Sequence, residues 1–133
     1  YGYPNGVILS ENGRYAYISG WVTRDLHKYD LKEKKEVAKC DLPFMPDNLT
    51  WKRDGKILAA GIKGVNGNCP KDSPHPCLQG FMLAEVHPET LEHRILYDNN
   101  GKALITGVSV AIDTGDAFYV GSFQGNRVVK LPR

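Results

Sequence analysis

Apolar residues fall along this chain in short runs broken by turn residues, and three stretches lie over one another. They are "PNGVILSENGRYAYISG" (4–20), "PDNLTWKRDGKILAAG" (46–61) and "ITGVSVAIDTGDAFYVG" (105–121). Each is an apolar run, a polar turn closing on glycine (Gly13, Gly55, Gly115), and a second apolar run ending in glycine. Asn-Gly, Asp-Gly and Thr-Gly between such runs predict β-hairpins. A third strand-like run follows each hairpin: "DLHKYDL" (25–31), "GFMLAEVHP" (80–88) and "NRVVKLP" (126–132). The first two lead through the polar turns "KEK" and "PET" to a fourth, "EVAKCDL" (36–42) and "EHRILYD" (92–98). Helix-period stretches with caps are hard to find, and Val, Ile, Tyr and Phe fill the runs.

The pattern predicts an all-β chain of repeated four-stranded units, which is the signature of β-propeller blades. The units span 4–43, 46–98 and 105–133, the second lengthened by an inserted loop at 63–79 and the third lacking its outer strand. Three blades do not close a ring, and an unclosed stack leaves its end faces bare. The expectation is therefore one propeller segment, half of a propeller, completed by a missing half or by a homo-oligomer partner. Tyr1-Gly2-Tyr3 does not look like a natural start, so the chain is expected to be processed, trimmed or part of something larger.

Charge is nearly balanced, at +2 formally, and no basic block beyond the mixed "KEKK" (32–35) suggests nucleic acid. No apolar run approaches membrane-spanning length. Of the three cysteines, Cys69 and Cys77 lie close together in "CPKDSPHPC", and Cys40 stands apart. A local Cys69–Cys77 disulfide, free thiols, or a metal site with His75 are the readings open there, and a bridge would favour an oxidising compartment.

The sharpest residues stand at the start of each unit's first strand. Counting back eight positions from Gly13, Gly55 and Gly115 gives Asn5, Asp47 and Gly107, with Asn48 beside Asp47. In a propeller this strand lines the central channel, so Asn5 and Asp47 should converge on its mouth. Pro-Asn-Gly and Pro-Asp-Asn are turn formers anywhere. Equally, carboxylate and amide oxygens are what a hard cation such as calcium takes, and an ion left open on one side polarises a bound carbonyl. The remaining candidates read as background. His27 suits an exposed strand position, and His87 and His93 suit the surface. Ser109 is channel-lining at most, with no nucleophile elbow, and Trp21 and Trp51 are packing between blades. Phe123 and Gln124 sit in a loop after the last hairpin.

"PNGVILSENGRYAYISGW" followed by "MPDNLTWKRDGKILAAG" resembles the family of senescence marker protein-30, gluconolactonase and the paraoxonase-type arylesterases, and is similar to the strictosidine-synthase-like relatives. The resemblance covers nearly the whole chain and implies the C-terminal half of a six-bladed propeller with calcium in its channel. It carries ligand roles onto Asn5, Asp47 and, through the arylesterase-like "PDN", Asn48. The family's Glu ligand, a further Asn ligand and the histidines proposed as base belong to blades that this chain lacks. What the resemblance implies is calcium-dependent (or other divalent-dependent) hydrolysis of lactones or aryl esters, with the Asp47 carboxylate as one candidate base. A non-catalytic binding module, or a synthase-like protein without metal-dependent hydrolysis, is the alternative.

Overall fold

The computed structural model describes residues 1–65, 71–72, 80–99 and 104–133; Cys69, Cys77 and His75 lie outside them, and with them the disulfide and metal readings of the inserted loop. The described residues form eleven strands and no helix, so no helix is long and apolar enough to cross a membrane. The strands are β1 (Pro4–Leu9), β2 (Tyr15–Gly20), β3 (Asp25–Asp30), β4 (Lys35–Asp41), β5 (Met45–Trp51), β6 (Ile57–Ile62), β7 (Phe81–Val86), β8 (His93–Asp98), β9 (Val108–Asp113), β10 (Ala117–Ser122) and β11 (Val129–Pro132).

They build three antiparallel sheets in the orders β1-β2-β3-β4, β5-β6-β7-β8 and β9-β10-β11. Each sheet is a meander, in which strands consecutive in the chain pair antiparallel; the connections are short turns except between β6 and β7, where the inserted loop falls. The turn glycines supply the reversals: Gly13, Gly55 and Gly115 take φ of 69°, 80° and 95°, a region open to residues without Cβ. In the β3–β4 turn, Asp30 instead uses its side chain. Its Oδ1 accepts from the Lys32 and Glu33 amides while Oδ2 accepts both Nε–H and Nη2–H of Arg14.

The inner strands stand side by side, β5 packing against β1 on one flank and β9 on the other. This is the radial arrangement of propeller blades, here an open array. Two apolar layers hold it together. Between the first and second sheets lie Tyr17, Leu26, Phe44, Leu49, Ile57 and Val86. Between the second and third lie Leu58, Phe81, Leu83, Val108, Phe118 and Val120. Each such side chain contributes about 1.5–3 kcal/mol by leaving water. The outer faces of the array have no such cover. Val7 is 60 % exposed on the first sheet and Ile112 is 55 % exposed on the third.

One sequence expectation fails within this layout. The alternation around His27 marks an exposed strand residue, yet the ring is buried. Tyr1 packs edge-on against it with centroids 4.3 Å apart, and its Nε2 and Nδ1 lie 2.9 and 2.8 Å from Asp25 Oδ1 and Glu36 Oε2. Groups from β4 and the N-terminal segment cover a position whose own strand gives no hint of them. His87 and His93 are exposed as expected. Trp51 does pack between blades, edge-on to Tyr17 at 5.7 Å, with its Nε1–H donating to the Leu9 carbonyl.

Phe44 is fully buried between the first two sheets. Phe44→Ala should lower unfolding stability by about 3–5 kcal/mol. Val7→Ala, on the bare face, should change it by less than about 0.5 kcal/mol. Urea unfolding of the two variants checks this, and equal losses would mean that the bare face is covered in solution.

Candidate metal centre

The candidate ligands sit in bulges. In the first sheet Pro4 pairs with Gly20 and Val7 with Ile18, so Asn5 and Gly6 together face Ser19. In the second, Pro46 pairs with Gly61 and Leu49 with Ala59, so Asp47 and Asn48 together face Ala60. In the third, Val108 pairs with Ser122, Val110 with Gly121 and Ala111 with Val120, so Ser109 is the additional residue. A bulge places two residues opposite one, bends the strand and re-aims a side chain that regular pleating would send elsewhere. The three inner strands therefore carry the same irregularity at the same end.

This register corrects the sequence alignment of the third unit. Counting from the turn glycine selected Gly107, but the structural equivalent of Asn5 and Asp47 is Ser109. The hairpins close at Ser10–Tyr15, Lys52–Lys56 and Thr114–Ala117, leaving 11–14, 53–55 and 115–116 in the loops. The loops thus shorten from four to three to two residues, and a fixed count slips along the strand. Ser109 is half-buried, and among the described residues its hydroxyl has no hydrogen-bond partner.

β1 and β5 meet closely where Asn5 and Asp47 stand. A Cβ on Gly6 would fall 2.4 Å from the Asp47 carbonyl oxygen and 2.7 Å from Asn48 Cα, so only glycine lets the backbones approach this far. This explains the glycine that follows Asn5. The three residues differ in exposure: Asn5 is exposed, Asn48 half-buried and Asp47 only 7 % exposed.

Asp47 is electrostatically unlike its neighbours. The buried acids among the described residues are Asp25, Asp30, Asp47 and Glu85. Asp25 faces His27 and Lys39, Asp30 holds Arg14, and Glu85 holds Lys52, Lys56 and Arg94. Among the described residues the Asp47 carboxylate has no ion pair and no side-chain hydrogen bond, and burial alone pushes its carboxyl up to about 6. A carboxylate taken from water without a partner opposes folding unless it takes up a proton or a cation. Among the described residues no three His, Cys, Asp or Glu side chains group closely enough to hold a metal. A cation here would rest on one carboxylate and on amide, hydroxyl and carbonyl oxygens, the donor types that calcium accepts.

The sign of the Asp47 effect follows. Its folded value, about 6, lies above the ordinary 3.8, so the native state binds the proton more tightly. The stabilising contribution is present below pH ~4 and is lost as pH rises from there through ~6. Asp47→Asn should therefore stabilise the metal-free chain at pH 7.5 by roughly 1–2 kcal/mol, and change little at pH 4. Urea midpoints in chelator at both pH values test this; a destabilised Asp47→Asn at pH 7.5 would contradict it.

Comparison with known proteins adds the fold. No family model matches the sequence, and no curated protein matches it. A solved protein of unknown function from Bacteroides caccae superposes with a TM-score of 0.60 at 13 % identity, covering 95 % of this chain and 44 % of that one. A calcium-binding protein, regucalcin, from Agrobacterium tumefaciens aligns at a TM-score of 0.40 and 15 % identity, over 98 % of this chain and 54 % of that one. The second superposition is too loose for residue correspondence. The chain spans about half the length of both structures, and the first similarity establishes that its blade-like fold occurs in larger proteins.

Proposed function

We propose that this chain carries one side of a divalent-cation centre, calcium by its donor chemistry, at the mouth of a propeller channel. In a completed ring it acts as a hydrolase of lactones or aryl esters. The observation that supports this most is the Asp47 carboxylate, buried and unpaired among the described residues, where each of the other buried acids has a Lys or Arg neighbour. Asn5 and Asn48 would add amide oxygens, and Ser109 stands at the equivalent bulge of the third sheet. Calcium takes roughly six to eight oxygens, so the bare faces of the first and third sheets would receive blades that bring the rest. Those blades come from further chain or from a second copy.

When bound, the ion would supply Lewis acidity toward a carbonyl oxygen and the charge that offsets an oxyanion. The residues of this chain do the remaining work. Asn5 and Asn48 would present neutral oxygens beside the Asp47 carboxylate, from the two bulges that meet at Gly6. The Asp47 carboxylate would be one candidate to accept the proton of an attacking water. That no three His, Cys, Asp or Glu side chains group together among the described residues favours a second reading, a propeller that binds calcium and a ligand without turning it over.

Calcium should raise the thermal midpoint at pH 7.5, by about 3–4 °C for each kcal/mol of binding stabilisation. The effect should shrink at pH 5, where a proton competes for Asp47, and vanish in Asp47→Asn. Phenyl acetate and δ-valerolactone hydrolysis by the completed ring, with calcium and with chelator, separates the two readings. Activity lost with chelator and in Asp47→Ala supports the hydrolase. Calcium binding without turnover supports the binding module, and activity indifferent to both removes the metal from the mechanism.

A further inference from the structure

We infer that Ser19 is a positioning residue for the cation site: its hydroxyl holds the bulge bearing Asn5 against the bulge bearing Asp47. This inference rests on the cation reading above and deepens it. Ser19 is fully buried on β2, opposite Asn5 and Gly6. Its Oγ accepts the Gly6 amide hydrogen at 2.7 Å and donates to the Asp47 carbonyl at 2.5 Å, with the Gly6 carbonyl farther off at 3.2 Å. One hydroxyl thus joins the backbone next to Asn5 with the backbone of Asp47 itself, across two sheets.

The staple exists only at this junction. The register equivalents of Ser19 are Ala60 in the second sheet and Gly121 in the third, neither of which carries a hydroxyl. Packing alone therefore does not demand a serine here, since the next junction seats an alanine at the same place. The second and third sheets are tied elsewhere along the strand, where Thr50 Oγ1–H donates to the Ala111 carbonyl at 2.7 Å. That bond is equal in kind to the Ser19 staple, but it does not touch the Asp47 backbone. Ser19 appears in no metal-ligand motif, because it never reaches the ion: it sets where the ligands stand. Removing it leaves the Gly6 N–H and the Asp47 carbonyl without their partner, and the spacing between the two bulges relaxes.

The matched pair Ser19→Ala and Thr50→Ala tests this, since each deletes one hydroxyl-to-carbonyl bond between sheets. Calcium chloride is titrated calorimetrically into the wild-type chain and both variants, and urea midpoints are measured alongside. Ser19→Ala should weaken calcium binding roughly tenfold, as loss of a support behind a metal ligand does, while Thr50→Ala stays within about twofold. Ser19→Ala should lose more stability than Thr50→Ala, because it strands the buried Gly6 N–H as well as a carbonyl. Equal weakening in the two variants overturns the inference and leaves the cation reading standing, because Ser19 is then only structural. No calcium binding by the wild type overturns the cation reading, and the inference with it. Should Ser19→Ala not fold, Ser19→Cys, with its weak donor, replaces it under the same criterion. Failure of both to fold assigns the hydroxyl to the fold and overturns the positioning role.

Discussion

The approach of β1 to β5 at Gly6 governs this structure. With no Cβ at that position the two inner strands close to backbone contact, the Ser19 hydroxyl spans them, and the bulges carrying Asn5 and Asp47 are held side by side. The apolar layers between the sheets supply most of the favourable energy, yet those layers tolerate small slides. The Gly6 contact does not, because a shift either opens a buried gap beside Ser19 or drives Gly6 into the Asp47 carbonyl.

The two ends of β5 then differ in electrostatic state. At the turn end, Lys52 is buried against Glu85, with Asp113 beyond it and Arg133 behind Asp113, so each of these four charges meets an opposite one. At the bulge end, Asp47 has burial without compensation, and its carboxyl rises to about 6. A fold that satisfies one end of a strand and leaves an acid unpaired at the other sustains a local loss of stability. Such losses concentrate where a ligand is bound, since the same unpaired charge that destabilises the empty site strengthens binding of a cation.

Most of the architecture was legible in the sequence because it is written locally. Turn glycines with positive φ, period-two apolar runs and a repeated unit each specify neighbours a few residues apart. The bulges were legible only as polar pairs of unknown meaning. The third site position was misread because hairpins of different loop length shift a fixed count, placing Gly107 where the register has Ser109. The burial of His27 was hidden for a similar reason: Tyr1 and Glu36 reach it from other segments. The lack of a partner for Asp47 is a property of the surroundings, and no motif encodes it.

The account turns on whether Asn5 and Asp47 share one ion. A crystal of the chain soaked in strontium, a heavier stand-in for calcium, measures this directly through its anomalous signal. The expected result is a peak within coordinating distance of oxygens from both Asp47 and Asn5, slightly beyond the about 2.3–2.6 Å of calcium because strontium is larger. A fully soaked crystal with no peak there, or with strontium bound only at surface carboxylates such as Asp41 or Asp54, would contradict it.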